Sequence, residues 1–218
     1  MSPTKEDYLK ILFELGGRTL QVSNKEIASR LNLSPPTVTE MMNSLVKVGW
    51  VVYTPYKGSM LTEEGTEYAK KLIRKHRLWE VFLVEKLNLD INEVHREAEL
   101  LEHATSTIVA DSLEAFLEFP EYCPHGGAIS PELMDVQEEE TFNLTEIHEH
   151  ETVMISRIVD DKKLLQYFKN HNLNIGDEIT VDEIDKDLDL VTLKKKDDDT
   201  DIQISITIGQ YLFVEKIK

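Results

Sequence analysis

A short turn between two capped helical patterns constrains the fold of this chain more than any other feature. From Val22 to Leu31 the apolar residues recur at helical spacing, and Ser23 with Glu26 forms a capping-box pattern. Asn32-Leu33-Ser34 interrupts this pattern. Ser34 then stands as the N-cap and Pro35 as the first residue of a further helix, which Gly49 ends. The sequence therefore predicts two helices joined by a tight turn.

The segments on either side of this helix pair complete a recognisable order of elements. Residues 4–16 carry an apolar helical stripe that ends at Gly16-Gly17, and residues 50–54 and 59–62 read as two short strands around a Pro/Gly turn. Helix, helix, turn, helix and hairpin is the order of a winged helix-turn-helix, a DNA-binding module. A small helical core with an incidental hairpin is the alternative, and it leaves the agreement of caps, turn and hairpin unexplained.

The charge distribution agrees with a DNA-binding N-terminal region, although the formal net charge is −17. Residues 1–78 hold 12 Lys and Arg against 8 Asp and Glu, whereas residues 79–218 hold 12 against 33. The basic surface is therefore N-terminal, and the acidic remainder can bind cations or repel DNA from the wrong face.

The middle of the chain reads as helical and self-associating. Helices are predicted for residues 63–87, 92–104 and 106–117, and their apolar area exceeds what a small winged helix can cover, which predicts a homodimer. Residues 118–145, with several Pro and Gly and the acidic run 138–140, read as a linker.

From about residue 145 the pattern changes to short alternating segments, which predict a small β-barrel. Strands are predicted for residues 153–159, 178–184, 188–194, 202–208 and 212–217, with a helix over residues 164–170. The predicted fold class is multidomain α+β: a winged helix-turn-helix in residues 1–65, an all-α dimerisation domain with its linker in 66–140, and a small β-barrel in 141–218.

The same composition gives expectations about location. We expect no membrane association, because no apolar run approaches the roughly 20 residues that span a bilayer. The N-terminus lacks an apolar signal-peptide core and the chain has one cysteine, which fits a reducing cytoplasm.

A second informative pattern lies in the predicted helix over residues 92–104. Glu99, Glu102 and His103 stand at i, i+3 and i+4, so they share one helix face, with His95 at its edge. Such a face, seen alone, is usually solvated, but the apolar setting and a second cluster at His76 and Glu80 favour a divalent-cation site.

With these pieces in order, the chain resembles the diphtheria-toxin-repressor and manganese-transport-regulator family of metal-dependent transcriptional repressors. More narrowly, it is similar to streptococcal-type manganese regulators with a C-terminal SH3-like domain. This resemblance implies that the domain in residues 66–140 also binds metal and that the barrel in 141–218 is SH3-like (FeoA-like). The resemblance is carried by residues 33–39 (LSPPTVT), by 75–80 (KHRLWE), and by 93–95 (EVH) followed by the Glu99-x-x-Glu102-His103 pattern.

The resemblance implies two metal sites. The implied primary site consists of Asp7, Glu99, Glu102 and His103, with His76 nearby. The implied secondary site consists of Glu80, Cys123, His125 and Asp160.

Several of these assignments have alternatives. His95 is either a ligand or a helix-capping group. Cys123 alone would more often be a buried small residue than a ligand. Asp160 competes with its neighbour Asp161 as the acidic ligand, and also with a plain helix N-cap.

The donor chemistry limits the metal. Carboxylates and imidazole without a thiolate suit Mn²⁺ or Fe²⁺, whereas the thiol of Cys123 softens the second site, so Zn²⁺ or Cd²⁺ could occupy it in vitro. The expected function is Mn²⁺-dependent repression of metal-uptake genes by a homodimer on a palindromic operator. An iron(II)-responsive regulator, a metal-independent DNA-binding protein and a metalloenzyme are the alternatives; the last lacks a separate base, nucleophile or phosphate loop.

Candidate DNA contacts fall into two groups. Short polar side chains and a proline at the exposed or N-terminal face of the recognition helix could reach base edges and phosphates, and scattered basic residues could neutralise the DNA backbone. The first group is Ser34, Pro36, Thr37, Thr39, Glu40 and Asn43; the second is Lys25, Arg30, Lys47 and Lys57.

Overall fold

The computed structural model describes residues 4–91, 93–159, 161–196 and 198–217. The chain divides into two compact units, Met1–Lys75 and His76–Lys218, and the boundary falls inside a long helix. Among the described residues, none of the helices is long and apolar enough to cross a membrane.

The first unit contains the predicted winged helix-turn-helix. Its elements are α1 (Lys5–Glu14), α2 (Asn24–Leu31), α3 (Pro35–Lys47), β1 (Val51–Thr54), β2 (Gly58–Leu61) and the start of α4 (Glu63–Glu85). The capping box of Ser23 and Glu26 forms as expected, and Ser34 caps α3 through the backbone N–H of Thr37. Asn32 ends α2 in the left-handed conformation (φ 53°), which asparagine tolerates better than most residues.

The wing is a two-stranded antiparallel ribbon with the register Val51 to Leu61 and Thr54 to Gly58. A bridge between Val22 and Ser59 attaches it to the helices. Gly58 has φ +127°, and a Cβ there would lie 2.2 Å from the carbonyl oxygen of Val22. Glycine is therefore required where the wing meets the helical core.

The helical part of the second unit differs from the prediction at one place. It comprises the rest of α4, α5 (Val94–Glu102), α6 (Thr107–Phe116) and α7 (Pro131–Glu140). Residues 118–145 were predicted to be a linker, and this is wrong, because α7 begins there with Ser130 as N-cap and Pro131 at its first turn. The Ser130-Pro131 pair is the same helix-start signal as Ser34-Pro35, but the Pro and Gly residues before Ser130 favour a linker.

The remainder of the second unit is a six-stranded antiparallel sheet in the order β3-β8-β4-β5-β6-β7, with helices beside it. The bounds are β3 (Phe142–Asn143), a 3₁₀ turn (Leu144–Glu146), β4 (Thr152–Ile158), α8 (Lys162–Asn170), β5 (Glu178–Asp185), β6 (Leu190–Lys195), β7 (Asp198–Ser205), α9 (Ile206–Gly209) and β8 (Leu212–Lys216). Its core includes Ile155, Phe168, Val181, Leu193 and Val214. The last part of the predicted strand 202–208 is α9 instead, and β3 escaped prediction because two residues carry no periodicity.

Candidate metal centre

Two adjacent turns of α4 carry the centre of the site. His76 and Glu80 are four residues apart on one helix face and both are buried. The Nε2 atom of His76 lies 3.2 Å from Oε1 of Glu80, and its ring lies 5.0 Å (centroid to centroid) from the ring of His95 on α5. His76, Glu80 and His95 offer ligand atoms that all lie within 4.8 Å of one another, a separation that one metal ion can span.

Glu80 also belongs to a second group, with Cys123 and His125, whose ligand atoms again lie within 4.8 Å of one another. All three side chains are buried. Among the described residues, Oε2 of Glu80 has no hydrogen-bond partner. A buried carboxylate oxygen without a partner is costly, and a bound cation is one way to satisfy it.

The two ring nitrogens of His125 are placed as in a ligand histidine. Its Nε2 lies 3.1 Å from the carbonyl oxygen of Ile91, which can only accept, so Nε2 carries the proton. In a neutral imidazole Nδ1 is then an acceptor, yet it faces Oε1 of Glu80 at 2.9 Å. Two acceptors at this distance require a proton or a metal ion between them. A ligand histidine whose other nitrogen donates to a carbonyl is the usual arrangement in metal sites.

Cys123 is held as a thiol by its surroundings. Burial raises the pKa of this thiol, and the charge of Glu80 raises the pKa further, against a smaller lowering by the hydrogen bond with His125. A metal ion at this position would therefore displace a proton from Cys123. The residues present fit a divalent cation with mixed oxygen, nitrogen and sulfur ligands.

The two glutamates of the predicted primary site on α5 differ in burial. Glu102 is fully buried; its Oε2 is in close contact with Nδ1 of His76, and its Oε1 lies 3.6 Å from Nε2 of His103. Glu99 faces outward, its side chain 47% exposed, with Oε1 3.3 Å from Nε2 of His95. His76 therefore touches a carboxylate of each predicted site.

The two remaining acidic candidates are Asp7 and Asp160. Asp7 lies in the first unit, where it forms a capping box with Thr4 at the start of α1. Asp160 lies outside the described residues. Its alternative, Asp161, accepts hydrogen bonds from the backbone N–H groups of Lys163 and Leu164 at 2.9 and 3.1 Å, as the N-cap of α8.

The predicted DNA contacts lie on α3 and around it. The exposed candidates are Ser34, Pro36, Thr37, Glu40, Asn43, Lys25, Lys47 and Lys57. Thr39 is half-buried, and its hydroxyl bonds Asn24 and the carbonyl of Pro35. The side chain of Arg30 is 12% exposed and pairs with Glu14 at 3.6 Å, so its charge is partly balanced within the module.

Tyr56 is a further candidate for contact with DNA that the sequence analysis did not include. It is fully exposed at the tip of the wing, with φ 63°. Its position in the Pro55–Gly58 turn was the feature of the sequence that could have indicated it.

Comparison with known families covers nearly the whole chain. Residues 1–59 match the N-terminal DNA-binding domain of iron-dependent repressors, and residues 62–131 match the metal-binding and dimerisation domain of the same family. Residues 142–216 match the FeoA domain.

Individual relatives agree with these matches. The chain is 41% identical over 119 residues to a helix-turn-helix transcriptional regulator of Methanocaldococcus jannaschii, which is 54% of this chain and 95% of that protein. The solved structure of the metal-dependent transcriptional regulator MtsR is 37% identical, with a TM-score of 0.88 and full coverage of both chains.

A third relative bears on the metal. ScaR with bound Zn²⁺ is 38% identical with a TM-score of 0.84 and covers 99% of this chain and 100% of its own; ScaR has also been solved with Cd²⁺ and is described as a manganese-activated repressor. The chain therefore belongs to the diphtheria toxin repressor and MntR family of metal-dependent transcriptional repressors, whose members bind DNA and dimerise through their metal-binding domain.

Proposed function

We propose that this protein is a Mn²⁺-dependent transcriptional repressor that binds a palindromic operator as a homodimer and controls genes for metal-ion uptake. The observation that carries the proposal is the buried group of His76, Glu80 and Glu102, in which one imidazole contacts two carboxylates from different helices. Burying a carboxylate is costly unless its charge is balanced, and a bound divalent cation would balance the charge of both carboxylates.

We assign the ligands as follows. The primary site takes Asp7, Glu99, Glu102 and His103 with His76, and the secondary site takes Glu80, Cys123, His125 and Asp160. The proximity of Glu102 to His103, and of Glu80 to Cys123 and His125, supports these sets. His95 lies near His76 and Glu80 and is an additional candidate ligand at Glu80.

The choice of Mn²⁺ rests on the oxygen-rich donors of the primary site and on the manganese activation of ScaR. Fe²⁺ suits the same donors and is the alternative effector. Zn²⁺ and Cd²⁺ suit the thiol of Cys123, and both are present in ScaR structures.

The proposed mechanism is a shift between two arrangements of the chain. Asp7 of the DNA-binding module, Glu102 and His103 would hold the metal, which would neutralise the acidic ligands. Without it, these carboxylates repel one another and favour the looser arrangement. The DNA-competent arrangement must bind the metal more tightly for any shift to occur.

The apolar surface of α6 supports a homodimer. Ile108, Phe116 and the nearby Phe119 are 78%, 62% and 68% exposed, which is unusual for side chains of this size unless they pack against another surface. A two-fold dimer presents two recognition helices, which reach successive major-groove faces when they stand about 34 Å apart. This geometry predicts a palindromic operator.

The domain bounds 1–65, 66–140 and 141–218 are proposed with this function, and the three family matches support them. We propose the cytoplasm as its location, since a repressor acts where the DNA is.

Footprinting with metal titration tests the function. Protection of a palindromic site that appears with Mn²⁺ at cellular free concentrations is the expected result, and an Fe²⁺ series distinguishes the two effectors. Protection that is equal with and without metal would contradict the proposal, and so would an absence of protection in every series.

A further inference from the structure

The turn that carries Cys123 and His125 is held by a side chain from α7. Gln137 is buried, and its amide makes two hydrogen bonds to this turn. Its Nε2 donates to the carbonyl oxygen of Gly126 at 2.7 Å, and its Oε1 accepts from the N–H of Ala128 at 2.9 Å. The Gln137 side chain thus pairs with a backbone carbonyl and a backbone N–H that lie two residues apart, in the segment that directly follows His125.

Three backbone hydrogen bonds also hold this turn. The N–H of Cys123 donates to the carbonyl of Gly127 at 2.9 Å, and the N–H of Gly126 donates to the carbonyl of Cys123 at 2.9 Å. Ile158 of β4 donates to the carbonyl of His125 at 3.3 Å. The backbone of the turn is therefore fixed by the protein around it.

The backbone of the turn is also closely packed against its neighbours. Gly126 has φ +80°, and a Cβ there would lie 2.0 Å from the carbonyl oxygen of Ser156; a Cβ on Gly127 would lie 2.5 Å from Nε of Arg77. The guanidinium of Arg77 donates to the carbonyl of Ala128. Removing the amide of Gln137 would take away the hydrogen bonds of two buried backbone groups in a closely packed turn, which is costly.

We propose that Gln137 is a positioning residue for the second metal site: it holds the turn so that Cys123 and His125 face Glu80. This inference rests on the proposed function, because it takes Glu80, Cys123 and His125 to bind a metal. Gln137 itself contributes no ligand, and its amide acts only through the backbone of the turn. Residues that orient metal ligands typically change affinity by about 10- to 100-fold when they are removed.

The test is titration of the full-length metal-free protein with Co²⁺ alone. Binding of Co²⁺ to the thiolate of Cys123 gives a near-ultraviolet charge-transfer band, which reports this bond independently of DNA binding. Gln137→Met keeps the volume of the side chain and removes both hydrogen bonds. Gln137→Glu keeps an acceptor for Ala128 but loses the donor to Gly126. Gln166→Met, on the exposed face of α8, is the matched control.

We expect Gln137→Met to weaken the Co²⁺ affinity that the band reports by about 10-fold or more, with a smaller or broadened band at saturation. Gln137→Glu, which would place a carboxylate oxygen against the carbonyl oxygen of Gly126, is expected to weaken the affinity as well, and Gln166→Met is expected to match the parent. If Gln137→Met does not fold, Gln137→Glu and the parent make the comparison. Folding of each variant is followed by circular dichroism.

The outcomes separate the two proposals. A folded Gln137 variant whose band and affinity superpose on the parent overturns the role of Gln137. A parent protein that gives no thiolate band with Co²⁺ overturns the second metal site itself, and with it the inference.

Discussion

Nε2 of His76 lies 3.2 Å from Oε1 of Glu80. The other ring nitrogen of His76 contacts the buried carboxylate of Glu102, so one imidazole joins groups assigned to two metal sites. A side chain in this position cannot be removed without exposing both carboxylates to each other's charge.

His76→Ala is therefore expected to lower Mn²⁺ affinity at both sites, by about 10-fold or more, because both carboxylates lose the partner that orients them. Isothermal titration of the metal-free protein measures the two affinities. His148→Ala, which removes an exposed imidazole, serves as control. A variant that loses affinity at one site only would show that His76 does not join them.

Substitutions of Asp7 separate its two roles. Asp7→Asn keeps an oxygen that can accept from the N–H of Thr4, whereas Asp7→Ala loses this bond; the Thr4 hydroxyl still accepts from the N–H of residue 7 in both variants, so α1 should begin as in the parent. Both variants are expected to lose Mn²⁺-stimulated operator binding in a gel-shift titration and to remain dimers by analytical ultracentrifugation. Unchanged Mn²⁺ dependence in Asp7→Asn would remove Asp7 from the ligand set.

Replacing Cys123 should change the metal preference of the second site. Cys123→Ser substitutes a harder and weaker donor of similar size, so affinity for Cd²⁺ and Zn²⁺ should fall by more than affinity for Mn²⁺. Competition titrations between Cd²⁺ and Mn²⁺ measure this ratio. An equal loss for all three ions would mean that the substitution disturbs the turn rather than the donor.

The apolar face of α6 predicts a monomerising substitution. Phe116→Glu places a charge on the surface proposed for the dimer, where burial of an unpaired carboxylate is strongly unfavourable. Sedimentation should show a large rise in the dimer dissociation constant. Leu188→Glu, at a similarly exposed site in the β5–β6 hairpin, should leave the dimer unchanged.

Tyr68, in the first unit, has a raised pKa. The hydroxyl of Tyr68 donates to Oε1 of Glu6 at 2.7 Å, and this hydrogen bond, with burial, raises the pKa of Tyr68 from 10.0 to about 12. Since the folded pKa lies above the unfolded value, the contribution of this group to stability is complete below pH 10 and is lost as the pH rises toward 12.

An ultraviolet titration of tyrosinate, parent minus Tyr68→Phe, should show this late-titrating phenol. Glu6→Gln should move its pKa down toward the ordinary value. A difference curve centred near pH 10 in the parent would contradict the hydrogen bond.

The elements predicted from sequence were those with local signals. The capping box of Ser23, the Ser34-Pro35 start and the Gly49 stop are each decided within a few residues, and these helices formed where expected. The α7 helix was missed although Ser130-Pro131 gives the same signal, because Gly126, Gly127 and the prolines before it suggested an extended linker.

The sequence predicted which residues belong to the candidate metal sites, but it did not predict how those residues are arranged. Spacing placed Glu99 and Glu102 on one face of α5, but it could not show that Glu102 is fully buried and Glu99 half-exposed, which depends on packing against α4. The amide of Gln137 gave no signal, because its partners are backbone atoms about ten residues earlier in a turn whose conformation the sequence does not specify.

The close approach of Gly126 to Ser156 has an evolutionary consequence. The turn bearing Cys123 and His125 belongs to one sequence domain, and the strand against which it lies belongs to another. Exchange of the FeoA-like domain between related proteins should therefore succeed only when the donor strand leaves the same backbone clearance.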